Sequence, residues 1–329
     1  MTPINRQSIK KYIFPTGAYI LLSIFVGIAS SYYFEKQEKT SVSTETRLIG
    51  NNYQFINPLL ECDNSNISRD TNLDSLKNSI LENIPANGNT SVYYRDMNNG
   101  PWFGINEKEM FSPASLIKVP LMMAFLKQAE SDPKLLDKEI LNTVAYDPKG
   151  QNIQPEVTLA VNQSYTVRAL IEQMIIYSDD ISYNILNNLV SYADLVKVYN
   201  DLGIDIQKAQ KDPSGNILSV KAYASFFRIL FNASYLNVEM SEYALSILSR
   251  SRFKDGLVAG LPSNVVAAHK FGERQYLDTD LKQLHDCGIV YLPSKPYLLC
   301  VMTRGDDFTT LKTVIKNISR KVYDEVGQK

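Results

Sequence analysis

In the stretch Phe111-Ser-Pro-Ala-Ser115-Leu-Ile-Lys118-Val-Pro-Leu-Met-Met-Ala-Phe, a serine and a lysine stand three residues apart where an apolar helical run begins. At positions i and i+3 of a helix both side chains share one face, so the amine can reach the hydroxyl. A serine hydroxyl is a weak nucleophile until a neighbouring base takes its proton, and a lysine desolvated in a pocket can act as that base. The first turn of a helix adds a positive dipole end beside the attacked carbonyl. Alone this spacing recurs by chance in many proteins. Two further stretches give it weight: Ile175-Ile-Tyr-Ser178-Asp179-Asp180 at the end of an apolar helical segment, and Val265-Val-Ala-Ala-His269-Lys270-Phe271-Gly272-Glu273-Arg274, which begins as a strand.

In this order the three elements resemble the Ser-x-x-Lys, Ser-Asp-Asn and Lys-Thr-Gly elements of class A β-lactamases and penicillin-binding proteins. The resemblance runs from about Ser91 to the C-terminal helix. It implies that Ser115 is the acylated nucleophile and Lys118 its general base or proton relay. Ser178 would pass a proton to the leaving nitrogen, and Lys270 would attract a substrate carboxylate. The backbone N–H groups of Ser115 and Glu273 would form the oxyanion hole, and Gly272 would let substrate lie against the strand. Asn184 matches an asparagine that braces the loop, and Asp179 is expected to be structural. The resemblance implies no cofactor and no metal. The substrate it implies is a β-lactam or a cell-wall peptide ending in a D-amino acid.

Three departures bear on the chemistry. Asp180 stands where the family has Asn, so a group that both donates and accepts becomes one that only accepts when ionised. Its charge is also expected to raise the pKa of Lys118. Phe271 replaces a hydroxyl residue that would bind the substrate carboxylate. Finally, class A β-lactamases use a Glu after the second element to activate the deacylating water, whereas Ser191–Ala222 contains no Glu, only Asp194, Asp201, Asp205 and Asp212. Of these, Asp212 is the one expected on a loop. Two classes of function stay open: an acylating enzyme, or a non-catalytic relative that binds such peptides or partners through the same groove.

Other constellations are weaker. The chain has two histidines, His269 and His285; His269 alternates to the strand face opposite Lys270, and both are read as structural. Cys62, Cys287 and Cys300 lack metal-ligand spacing. A disulfide is allowed in an exported domain, but the sequence fixes no pairing.

The elements that must position these residues are an α+β set. Leu73–Ile84 has helical spacing. Ser91–Arg95 and Trp102–Ile105 form a hairpin across Asn98-Asn-Gly100. A mostly helical insert follows from Ser115 to Ser249. Val265–Gly272, Gly288–Leu292 and Tyr297–Thr303 read as strands, and Leu311, Val314, Ile315, Ile318 and Val322 line one face of a closing helix. One antiparallel sheet, covered on one face by the first and last helices, is the expected architecture.

Before the domain, Tyr12–Phe34 contains no charged residue, enough at ~1.5 Å per residue to cross the ~30 Å bilayer core. Arg6, Lys10 and Lys11 precede it, which places residues 1–11 in the cytoplasm. A cleaved signal peptide is the competing reading. Residues 35–52 read as a flexible linker, and 53–329 as one domain outside the membrane. A formal net charge of −1 excludes the basic field that nucleic-acid binding needs.

Overall fold

Strands arise at both ends of the domain, where short runs of β-branched and aromatic residues are punctuated by turns. The structure, a computed structural model, describes residues 53–58, 71–82, 84, 89–98, 100–209, 211, 214–293 and 295–327. After helix α1 (Thr71–Leu81) come β1 (Thr90–Asp96), β2 (Trp102–Ile105) and the short β3 (Met110–Phe111). A 3-10 turn at Ala114–Ile117 leads into α2 (Lys118–Ala129). The insert continues through β4 (Glu139–Asn142), β5 (Gln163–Thr166), α3 (Val167–Ile176), α4 (Asp180–Leu189), α5 (Tyr192–Asn200), α6 (Ile206–Ala209), β6 (Leu218–Ser219), α7 (Val220–Phe231) and α8 (Val238–Leu248). The chain returns as β7 (Val266–Gln275), β8 (Lys282–Tyr291) and β9 (Tyr297–Gly305) before α9 (Phe308–Gly327).

The main sheet is antiparallel, in the order β2-β1-β9-β8-β7, so β7 is an edge strand. Side chains alternate between its faces. Ala268, Cys287, Ile289, Cys300 and Met302 face the helical insert and join its core with Met122, Phe125, Met174, Phe226 and Leu245. Ala267, Phe271, Leu284, Val290, Leu299 and Val301 face the other way, onto Leu76 and Ile80 of α1 and Leu311, Ile315, Ile318 and Val322 of α9. Each such side chain removed from water is worth about 1.5–3 kcal/mol before conformational entropy is counted. The edge strand bearing Lys270 is thereby clamped between two cores.

One expectation needs correction. β8 begins at Lys282, not Gly288, because its first half buries polar Gln283, His285 and Asp286, which disguise the apolar alternation. The insert is mostly helical, as expected, but residues 139–166 hold the β4–β5 pair and a long loop, and β3 pairs with β6. Among the described residues no helix is long and apolar enough to cross a membrane. The segments 12–34 and 35–52 lie outside the described residues, as do Cys62 and Asp212.

Candidate active site

Ser115 lies in the 3-10 turn rather than in the α-helix itself. In a 3-10 helix residues i and i+3 eclipse, which sets Ser115 above Lys118, the first residue of α2. Ala114, immediately before the serine, has φ +45°, and Ser178 has φ +57°. Non-glycine residues held in this left-handed region cost on the order of 1 kcal/mol or more each, and such strain gathers at functional sites. At Ser178 the twist turns the carbonyl inward, where it accepts from Lys118 Nζ (2.6 Å) and Gln151 Nε2 (3.0 Å).

Two lysines converge on Ser178. Lys118 Nζ lies 3.3 Å from Ser178 Oγ and donates to Asp180 Oδ1 at 2.5 Å. Lys270 Nζ donates to Ser178 Oγ (2.9 Å) and to the Phe271 carbonyl (2.8 Å). Lys118 is 1% exposed and Lys270 fully buried, so desolvation disfavours their charged forms. Burial lowers the Lys118 pKa, and the Asp180 carboxylate opposes that shift without cancelling it. The raised pKa expected for Lys118 from Asp180 is therefore not the net result: the sign of that one contribution was right, but burial outweighs it. For Lys270, burial again dominates, and the neighbouring Lys118 charge pushes the same way, well below the ordinary lysine value. Among the described residues no hydrogen bond joins Lys118 Nζ to Ser115 Oγ; such contacts often tighten only with substrate bound.

β7 supplies one wall. A Cβ on Gly272 would sit 2.9 Å from the Pro113 carbonyl oxygen and 3.1 Å from the Leu116 nitrogen. The missing side chain thus admits the turn that carries Ser115. Phe271 packs its ring on Phe253 (centroids 4.1 Å, 21° between planes), with Lys270 Nζ 4.2 Å from the ring centroid. It offers no polar group where the family has a hydroxyl. The Glu273 carboxylate accepts from Asn152 N and Nδ2 (both 2.8 Å) and from Ile153 N (3.2 Å). Its side chain ties the loop bearing Gln151 to the strand.

Asp179 caps α4, accepting from Ser182 N at 2.6 Å, and burial raises its pKa despite the Ser182 hydrogen bonds. Asn184 does not brace the loop. It lies on the exposed face of α4, one turn beyond Asp180, and its side chain makes no hydrogen bond among the described residues, because Ile181, Ser182 and Leu186 take the buried face. Gln151, Asn152 and Tyr146 were missed: they come from a long loop whose sequence carries no motif. Tyr146 reports its place near the site, since after burial the Asp179 and Asp180 charges push its pKa up.

Beneath the sheet His269 Nδ1 and Asp286 Oδ1 pair at 2.9 Å, both buried, while Asp286 Oδ2 accepts from Leu257 N at 2.9 Å. His285 Nε2 bonds the Ser112 carbonyl (2.9 Å), and burial lowers its pKa to about 4, so the ring is neutral and donates. Ser112 is held further by Gln283 Oε1 (from Ser112 N, 2.9 Å) and Arg274 Nη1 (to Ser112 Oγ, 3.0 Å). These contacts fix the approach to Ser115. Cys287 and Cys300 face each other across β8 and β9, buried and unbridged. Among the described residues no cluster of His, Cys, Asp or Glu is placed to hold a metal ion.

A cavity of about 560 Å³ opens beside the turn that carries Ser115, against Ala114, Ile117, Tyr183, Tyr199 and Ile206. Asp194, Asp201 and Asp205 do not line it, and its one acidic residue is the already engaged Glu273.

The sheet order, the two terminal helices on one face and the insert on the other are those of the β-lactamase and penicillin-binding serine hydrolases. The model of the Beta-lactamase enzyme family matches residues 74–326, and the chain belongs to that family. Among solved structures, PBP-A is 22% identical with a TM-score of 0.63, covering 78% of this chain and 97% of its own. A class A β-lactamase from Bacteroides cellulosilyticus is 18% identical (TM-score 0.66, 79% and 100% covered). A β-lactamase from Chitinophaga pinensis is 24% identical (TM-score 0.63, 78% and 99%). The comparison with curated proteins returned no match.

Proposed function

We propose that this chain is a membrane-anchored, extracytoplasmic serine hydrolase that forms an acyl-enzyme at Ser115 with β-lactams or D-amino-acid-terminated cell-wall peptides. The observation that carries the reading is the convergence of two buried, pKa-lowered lysines on Ser178 beside the strained turn of Ser115. Lys118, in the neutral form that burial favours, takes the proton of Ser115 Oγ as the oxygen attacks the carbonyl carbon. The resulting oxyanion meets the N–H groups of Ser115 and Glu273. As the C–N bond breaks, the Ser178 hydroxyl gives its proton to the leaving nitrogen, and a lysine ammonium restores it. A variant of PBP-A has been solved as an acyl-enzyme complex with penicillin G, which supports the same covalent step here. Anchoring rests on the uncharged Tyr12–Phe34 run and its basic N-terminal flank; protease added to intact spheroplasts is expected to digest the domain, and protection until lysis would reverse the topology.

Hydrolysis of the ester needs a base for water, and the cavity beside Ser115 offers no uncommitted carboxylate. A chromogenic cephalosporin should therefore give a burst of about one equivalent per chain and then slow turnover; linear, fast turnover from the first instant would contradict this. In the same assay Asp180→Asn is expected to quicken the burst. Asp180 favours the ammonium form of Lys118, so its removal lowers the lysine's pKa further. The rising limb of acylation against pH then moves to lower pH, and the restored amide donor adds a contact worth about 1 kcal/mol. A limb that moves to higher pH would contradict this effect on Lys118, and an intact burst with no turnover after it, the acyl-enzyme being trapped, would make Asp180 the deacylating base instead.

A further inference from the structure

The 560 Å³ cavity has a mixed lining. Ala114 and Ile117 of the nucleophile's turn line it. Leu121, Tyr183, Tyr199, Ile206 and Ile217 give it a mainly apolar and aromatic wall, and Arg274 stands as its one lining cation. The size and character are those of a pocket for a small organic group held by a few polar contacts.

Arg274 is prepared to bind an anion. Its guanidinium is steered by a bond from Nη1 to Ser112 Oγ (3.0 Å) and lies 4.4 Å from the centroid of the Tyr276 ring. Among the described residues no carboxylate pairs with it. Glu273, its neighbour, is engaged by three N–H donors of Asn152 and Ile153. Arginine carries five N–H donors in a planar fork, so one bond to a serine leaves donors for a bidentate carboxylate. Arg274 also lies four residues along β7 from Lys270, roughly 13 Å at strand spacing. It is therefore distinct from the lysine that the reaction places at Ser178.

We propose that this cavity selects the acyl half of the substrate: it takes an aromatic or branched aliphatic group bearing a carboxylate, which Arg274 binds. The proposal rests on the acyl-enzyme reading for its biological meaning, but the pocket's preference is measurable without catalysis. Calorimetry on the full chain compares 3-phenylpropanoate with 3-phenylpropan-1-ol, which differ in the carboxylate alone. The acid is expected to bind about tenfold or more tightly, from its charge-assisted bonds. Arg274→Gln should remove that preference and Arg274→Lys retain part of it. Leu195→Trp, which projects bulk into the same cavity, should weaken both ligands. Equal binding of acid and alcohol, a preference untouched by Arg274→Gln, or indifference to Leu195→Trp would each overturn the proposal. A parallel arm compares acylation by benzylpenicillin and its α-carboxyl derivative, the second expected to react faster in the wild type only. If neither penicillin acylates Ser115 while the Arg274-dependent binding persists, the catalytic reading fails and the pocket assignment stands.

Discussion

Lys118→Met is expected to lower the rate constant for acylation by benzylpenicillin by about 10²- to 10⁴-fold, the range that a positioned general base contributes. Methionine keeps the length and apolar stem of the lysine, and the site is almost wholly enclosed, at 1% exposure. No buried charge is stranded, because Asp180, its ion-pair partner, is 42% exposed and keeps water. The melting temperature should therefore change little while the chemistry collapses, which separates a catalytic role from a packing one. Rapid mixing with a fluorescent penicillin, with thermal melts as control, reads both. An acylation rate within about threefold of wild type would remove Lys118 from the reaction.

Asp286→Ala is expected to produce the largest loss of stability. The Asp286 carboxylate is fully buried and serves two partners, the His269 ring on β7 and the Leu257 N–H that opens a 3-10 turn under the sheet. The fit is tight on the turn side, since a Cβ on Gly256 would lie 2.2 Å from Asp286 Oδ2. Removing the carboxylate leaves both donors buried and unpaired, at a cost of about 3–5 kcal/mol. At roughly 2–4 °C per kcal/mol for a domain of this class, the melting temperature should fall by on the order of 10 °C. Asp286→Asn, which keeps one acceptor oxygen, should fall less. A drop under about 2 °C for the alanine variant would show that the pair holds nothing.

The sequence was most informative where chemistry is local. Ser115 and Lys118 are three residues apart and any helical turn aligns them; Asp179 caps the helix that follows it. Gly272 was recognised as a site of close backbone approach, but what approaches, Pro113 and Leu116, is set by tertiary packing. Asp180's opposing pull on Lys118 follows from charge alone, whereas the net shift depends on burial that no spacing reveals. The first half of β8 was invisible because Gln283, His285 and Asp286 are buried polar residues whose partners, Ser112 and His269, lie far off in sequence. The same distance hid Gln151, Asn152 and Arg274. Asn184 was misplaced because a motif match assigns a position along the chain, not the face of the helix it lands on.

A covalent bond at Ser115 is the decisive observable. Mass spectrometry of the full chain after incubation with benzylpenicillin should show one adduct carrying the whole mass of the opened penicillin. Peptide mapping should place it on Ser115, and Ser115→Ala should carry none. An unmodified wild-type chain, or an equal adduct on the Ser115→Ala chain, would contradict it.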